Sequence, residues 1–492
     1  MNRRRMIDSV LGRSAAPGRA AAFGLLVLAA AFAAGLAIAP ASAKDKVTMP
    51  KELPAYGADR PMVIPQVTEA TLPNGLIVWI VPRAGLPKVA MALAVRGGWA
   101  ADGPGMDGFA GMLADALTEG TATRTSQQIA EQMQALGGEI GASGGDDAII
   151  VNADGFAAGA PKILNLLADV ARNASFPDKE VDLVKTNTLQ RLQARKAAPE
   201  FAVSKAFAAA VYGDHPYHIV TQSEESVAKV TPAVMKTEFA RRFRPDRAIL
   251  VVAGAVDVAA TRRAIDKEFG TWKAAGEAPK PTPPVPPAGA RRILLVDRPG
   301  SVQSQIRIGR PAVRATEADY YPLLVANAIF GGAFTSRLTE NIREDKGYTY
   351  SPSSRVVTSE VGGLIQVDAA VRNDVTSGTL LEVFYELDRM GATLPTDEEL
   401  SRAKRYQTGL FLLRNEINGS LVQTLASNWV KGLPLAALAD YVPKVNAVTA
   451  EMTRDVARRY MTSRSQTVVI GGDVKSVSGQ VEPFGAVTAV TP

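Results

Sequence analysis

Ala274-Ala275-Gly276-Glu277-Ala278-Pro279-Lys280-Pro281-Thr282-Pro283-Pro284-Val285-Pro286-Pro287-Ala288-Gly289 holds six prolines in sixteen residues. Proline fixes φ and removes a backbone donor, so such a run predicts an extended, semi-rigid spacer of about 3.1 Å per residue, not part of a packed domain. It divides the chain into stretches of similar size, 44–273 and 290–480, with 481–492 left as a tail. These stretches look like copies. Val151-Asn152-Ala153 ends a strand-like run in the first, and Val367-Asp368-Ala369 does so in the second. Asp178-Lys179-Glu180 and Asp397-Glu398-Glu399 each open a long charged helix, and Val251-Val252-Ala253-Gly254 matches Val468-Val469-Ile470-Gly471. The offsets are 216, 219 and 217 residues, so the register holds across a domain and identifies a duplication.

Each copy reads as α+β. In the first, the turn Pro73-Asn74-Gly75 precedes strands over 76–81 and 89–95, then a helix over 108–117. A second helix is capped by Thr125 with Gln128 three residues on, and Gly137-Gly138 ends it. A strand through 149–151, long helices over 160–173 and 180–195, and a strand over 248–253 follow. The second copy repeats this with strands near 293–296 and 303–308 and helices over 319–330 and 336–346. Strands before, between and after blocks of helices predict one sheet per half with helices packed on one face.

With 492 residues, 47% hydrophobic and 21% charged, the chain has material for sizeable cores, and wholesale disorder is excluded. Lys plus Arg exceeds Asp plus Glu by 55 to 49, but Arg3, Arg4, Arg5, Arg13 and Arg19 face only Asp8 in the first 43 residues. The remainder is nearly neutral and carries no electrostatic footprint for nucleic acid. The basic start, the apolar run from Ala20 to Ile38 and Ala41-Ser42-Ala43 after Pro40 predict a signal peptide, 1–43, cleaved after Ala43. The expectation is an exported, periplasmic chain with no membrane span after cleavage; the alternative is a tether to the inner membrane by an uncleaved N-terminal segment. The absence of cysteine excludes disulfides, thiol nucleophiles and thiolate metal sites.

Several motifs have simpler readings. Gly103-Pro104-Gly105-Met106-Asp107-Gly108 matches the dinucleotide pattern, but Pro104 removes an amide and no compact βαβ unit follows, so a glycine-rich turn suffices. Ser226-Val227-Ala228-Lys229 and Ser401-Arg402-Ala403-Lys404 lack the other parts of a serine acyl-transfer site. His215 and His218, in Asp214-His215-Pro216-Tyr217-His218, are the only histidines. A zinc site could use both with Asp214, but Pro216 breaks helical geometry and an ordered loop is the simpler reading.

The sharper constellation runs from Gly331-Gly332-Ala333-Phe334-Thr335-Ser336-Arg337-Leu338 to Asn341-Ile342-Arg343-Glu344-Asp345-Lys346-Gly347-Tyr348-Thr349-Tyr350-Ser351. Leu338 and Ile342 share a helix face, Arg343 falls in the last turn, and Gly347 stops the helix so that Tyr350 begins the next strand and returns toward Arg343. A guanidinium and a phenol so placed can face a carbonyl or developing oxyanion. Spacing alone favours a structural pair, since terminal arginines and strand tyrosines are commonplace.

Duplicated halves, the proline-rich linker and the run from Gly331-Gly332 to Tyr350-Ser351 together resemble the M16 zinc metallopeptidases, the pitrilysin and mitochondrial processing peptidase family. Leu72-Pro73-Asn74-Gly75-Leu76, Thr118-Glu119-Gly120-Thr121, Asp214-His215-Pro216-Tyr217 and Arg244-Pro245-Asp246-Arg247 add to the likeness, which spans nearly the whole mature chain. The resemblance implies two homologous α+β domains, each a mainly antiparallel six-stranded sheet, joined into a clam-like chain. Active members carry H-x-x-E-H on a helix before the Glu-Gly-Thr-like turn. That helix here reads Gly111-Met112-Leu113-Ala114-Asp115, so Gly111, Ala114 and Asp115 stand where ligands and base belong, and the later acidic ligand falls at about Gln190 or Arg191. The resemblance implies no cofactor in this chain. It points to a heterodimer in which an H-x-x-E-H partner carries zinc, while Arg343 and Tyr350 hold an extended peptide and steady its oxyanion. In the zinc half such a peptide adds to a sheet edge, and the equivalent edge here runs around Gly138 to Gly145. A non-enzymatic peptide-binding or scaffold role on the same fold is the competing expectation.

Overall fold

The computed structural model describes residues 65–490; the expected signal segment, 1–43, lies outside them. The first half contains β1 (Thr68–Thr71), β2 (Ile77–Pro82), β3 (Lys88–Arg96), β4 (Ile140–Gly144), β5 (Ala148–Phe156) and β6 (Ala248–Gly254), in the order β1-β2-β6-β3-β5-β4. The second contains β7 (Arg292–Asp297), β8 (Gln303–Ala312), β9 (Ser353–Thr358), β10 (Gly363–Arg372), β11 (Thr467–Gly472) and β12 (Val487–Val490), in the order β12-β7-β11-β8-β10-β9. From the second strand inward the two orders correspond, which is the duplication expected from the repeated segments. The sheets are mixed: β2 runs parallel to β6, and β7 parallel to both β11 and β12, while the other pairs are antiparallel. Residues 487–490, read from the sequence as tail, add this outer strand, because the β7 edge is otherwise bare and Val487 pairs with Ile293.

Local chemistry explains the elements. The helix Ser126–Ala135 starts with the predicted capping box, Thr125 accepting from the Gln128 amide and Gln128 closing back. Strands β6 and β11 are buried at every residue. An uninterrupted apolar strand needs cover on both faces. On one face of the first sheet, Leu113, Leu167 and Val170 from its own helices pack against Leu93, Val151 and Leu250.

The opposite face is covered from across the duplication. Helix Asn418–Val430 of the second half lays Leu421, Leu425 and Ala426 against Trp79, Ala92 and Val251. In return, helix Pro199–Tyr212 of the first half lays Val203, Phe207 and Val211 against Val296, Leu364 and Val469. Helices on one face describe each half's own contribution; the exchanged helix supplies the other layer. Each fully buried Leu or Phe contributes about 1.5–3 kcal/mol. Polar anchors sit beside both helices. The Arg96 guanidinium lies 4.5 Å from the Trp429 ring centroid and donates to the Trp429 carbonyl at 3.0 Å, and Arg307 donates to Ser204 Oγ at 2.8 Å.

The proline-rich segment has no regular structure, as its composition predicts, yet it is strapped to the body. Pro279 is buried, the Pro283 carbonyl bonds His215, and Val285 fills the space beside Gly362, where a Cβ would stand 2.3 Å from Val285 Cγ2. No helix among the described residues is long and apolar enough to cross a membrane.

Candidate functional site

Helix Phe109–Ala116 buries Phe109, Met112, Leu113 and Ala116 and turns Gly111 and Asp115 outward, one helical turn apart. Its N-terminus is fixed by Asp102, which accepts from the Ala110 amide at 3.2 Å and pairs with the buried Arg242 at 2.8 Å. Burial pushes the Asp102 carboxyl up to about 7 in spite of that cation.

This helix does not present a ligand set for zinc. Gly111 has no donor, and a side chain there would meet Gln222 Nε2 at 2.9 Å and Trp99 Nε1 at 3.4 Å. Ala114 is buried and holds no proton acceptor. Asp115 is ion-paired to Arg191 of helix Asp178–Ala197, and Thr188 Oγ1 accepts from the same Arg191 nitrogen at 3.1 Å. A guanidinium fills the ground where the sequence comparison places the last acidic ligand. Burial raises the neighbouring Glu119 carboxyl, and repulsion from Glu180 and Asp115 adds to it. Among the described residues no group of three or more His, Asp or Glu side chains can hold a metal ion.

The histidines are structural. His215 Nδ1 accepts from the Tyr217 amide at 3.1 Å, so its Nε2–H donates to Pro283 O at 2.8 Å; His218 Nδ1 bonds the His215 carbonyl at 2.8 Å. Both nitrogens of His215 are engaged by the backbone, which rules against the two-histidine zinc arrangement.

The second-half constellation does converge. Helix Tyr320–Asn327 widens into π-type turns through Ala328–Gly332, and a second π-type stretch spans Thr339–Asp345, where regular helices had been expected. Gly331 lets the chain press on β9: a Cβ there would meet Ser354 Cβ and Leu338 Cδ1, each at 2.7 Å. Arg337 braces this turn by donating Nε to Glu399 Oε1 at 2.6 Å and Nη2 to Oε2 at 3.0 Å. Burial pushes the Glu399 carboxyl up, but the Arg337 bonds and the Thr396 amide outweigh it and hold the group at about 2.

Leu338 and Ile342 are fully buried and fix the stretch that carries Arg343. Gly347 takes φ +63°, and the Tyr348 amide donates to the Ile342 carbonyl at 2.9 Å, so the chain reverses as the glycine predicts. Tyr350 lies in the turn before β9, not in the strand itself, and its ring centroid is 4.6 Å from the Arg343 guanidinium carbon. A second ring stands at the same distance. Phe334 also lies 4.6 Å from that carbon, a neighbour the sequence reading did not single out; its only signal was a bulky ring in a glycine-rich loop. Glu344 Oε1 pairs with Arg343 Nε at 3.2 Å. Tyr350 and Phe334 are 79% and 68% exposed, so this chain alone does not enclose the pair. Strand β4, the edge around Gly138 to Gly145, pairs only with β5 among the described strands.

Fold and site define a duplicated two-domain α+β protein whose first-half helix carries no set of metal ligands and whose second half holds an arginine-tyrosine contact. Residues 80–223 match the family profile described as insulinase, peptidase family M16, and residues 229–406 match the one described as the peptidase M16 inactive domain. The chain belongs to peptidase family M16. It is 27% identical over 441 residues to a Mycobacterium tuberculosis protein named an uncharacterized zinc protease, covering 88% of this chain and 99% of the relative. A Bacillus subtilis protein of the same description is 24% identical over 396 residues, covering 80% and 95%. Among solved structures, a peptidase M16 inactive domain from Pseudomonas fluorescens superposes with a TM-score of 0.77 at 23% identity, covering 82% of this chain and 98% of that one. A protease from Helicobacter pylori superposes with a TM-score of 0.77 at 20% identity, covering 83% and 99%.

Proposed function

We propose that this chain is the metal-free, substrate-holding subunit of an exported, periplasmic heterodimeric M16 peptidase, inactive alone. The observation that carries this reading is a contrast within one molecule: Asp115 is neutralised by Arg191 where metal ligands would gather, while Arg343 and Tyr350 remain in contact on an open surface. Zinc and the glutamate base then belong to an H-x-x-E-H partner. Arg343 and Tyr350 offer charged and neutral hydrogen-bond donors to a peptide carbonyl as negative charge develops on its oxygen. The extended substrate pairs with a sheet edge of the partner through main-chain bonds, with low sequence selectivity.

The test is affinity capture of the tagged mature chain from its native extract, followed by reconstitution. A stoichiometric partner of similar size bearing H-x-x-E-H is expected. With it, Arg343→Ala lowers kcat/KM for peptide cleavage by about 10²–10³ and Tyr350→Phe by about tenfold or more, assembly being unchanged. The loss of a metal ligand at Gly111 and of the base at Ala114 also favours a second reading, a non-enzymatic peptide-binding or scaffold protein. Capture of the chain alone or with an unrelated membrane complex, or full cleavage by the Arg343→Ala pair, would move the assignment there.

A further inference from the structure

Phe334 has no core to serve. It is 68% exposed, in a loop anchored on both sides by the close approach of Gly331 to β9 and by the buried Ser336 and Arg337. An apolar ring held in water by a rigid base needs a reason, and its recorded ring contact is the Arg343 guanidinium, 4.6 Å from its centroid. Tyr350 flanks the same group at 4.6 Å, and together these exposed neighbours leave the Arg343 side chain only 23% exposed. Glu344, whose Oε1 lies 3.2 Å from Nε, is the one ion-pair partner of Arg343 among the described residues.

We propose that Phe334 is a positioning residue that acts through Arg343: with Tyr350 it fixes the guanidinium plane so that the Nη1 and Nη2 hydrogens meet a neutral peptide carbonyl. The proposal deepens the reading of Arg343 and Tyr350 given above and rests on it. An unconfined arginine samples many rotamers, and ordering it costs entropy each time substrate binds; an aromatic wall on a rigid loop removes most of that cost beforehand. The rings also exclude water from the guanidinium, which strengthens its bonds to a polarised oxygen. The Glu344 carboxylate selects the ligand's charge. It offsets part of the arginine's field, so a backbone carbonyl is accepted more readily than a full carboxylate such as a peptide C-terminus.

The experiment uses the full chain reconstituted with its H-x-x-E-H partner on an internally quenched peptide. Phe334→Ala lowers kcat/KM by about three- to tenfold; Phe334→Tyr and Phe334→Trp restore it, whereas Phe334→Leu, equally apolar but without a ring face, does not. In an Arg343→Ala background, Phe334→Ala costs nothing further. Phenylglyoxal modification of Arg343 in the isolated chain, followed by mass spectrometry, reads the clamp without activity: Phe334→Ala accelerates it by about two- to fivefold. Wild-type rates in both assays for Phe334→Ala, full rescue by leucine, or an undiminished loss in the Arg343→Ala background would overturn the proposal. If Arg343→Ala leaves cleavage intact, the functional reading fails with it, even where the modification assay finds the clamp.

Discussion

The Arg191 guanidinium bonds the Asp115 carboxylate, tying helix Asp178–Ala197 to helix Phe109–Ala116 at the place where metal-bearing relatives would assemble their ligands. A fixed positive charge occupies the side of Asp115 that a divalent ion would need. Both side chains are substantially exposed, 58% and 37%, so solvent screens the pair and its contribution to stability is small.

Arg191→Ala therefore shifts the denaturation free energy by less than about 1 kcal/mol. Arg191→Glu does not create a zinc site, since Gly111 still provides no ligand. Elemental analysis of the wild-type chain and both variants after dialysis should find far less than one zinc per chain. One equivalent in the wild type would refute the metal-free assignment.

The Arg337–Glu399 brace gives an acid-labile term. The folded Glu399 carboxyl sits at about 2, below the ordinary 4.5, so the folded state binds its proton less readily than the unfolded state. Its stabilising contribution is complete above about pH 4.5 and is lost as pH falls toward 2. Denaturation midpoints measured across this window should decline in the wild type and decline less in Glu399→Gln, which is already weakened at neutral pH. Parallel curves for the two proteins would mean that the brace is not coupled to folding.

Exchanged helices make the halves mutually dependent. Leu425→Ala, on the second-half helix, should destabilise the protein by about 2–5 kcal/mol and do so without splitting the unfolding transition. A protease site engineered at Pro286-Pro287, both exposed, should yield two fragments that co-elute in gel filtration and separate only in denaturant. Fragments that part under native conditions would contradict the interlock.

Much of this architecture is legible in the sequence because duplication repeats its own signals: β5 and β10 lie beneath Val151-Asn152-Ala153 and Val367-Asp368-Ala369, and Thr125 with Gln128 marks a helix start that the structure reproduces. The crossing of helices is not. Leu421, Leu425 and Ala426 announce an apolar stripe, but a stripe does not name the surface that it will cover. The usable hint was β6, Ala248–Gly254, too continuously apolar for a sheet with one wet face. At the site, spacing brings Arg343 back toward Tyr350 through Gly347, whereas Phe334 belongs to no period and becomes visible only as a ring against a guanidinium. The replacement of metal ligands is readable residue by residue; the bond between Asp115 and Arg191 requires the two helices in space.

The contact between Arg96 and Trp429 joins residues 333 positions apart, and helix Asn418–Val430 is made late in synthesis. A nascent chain that has completed every strand of its first sheet still has Trp79, Ala92 and Val251 bare on one face. The first-made half therefore lacks one of its two apolar layers until helix Asn418–Val430 is available, a pairing distant in sequence of the kind that slows folding.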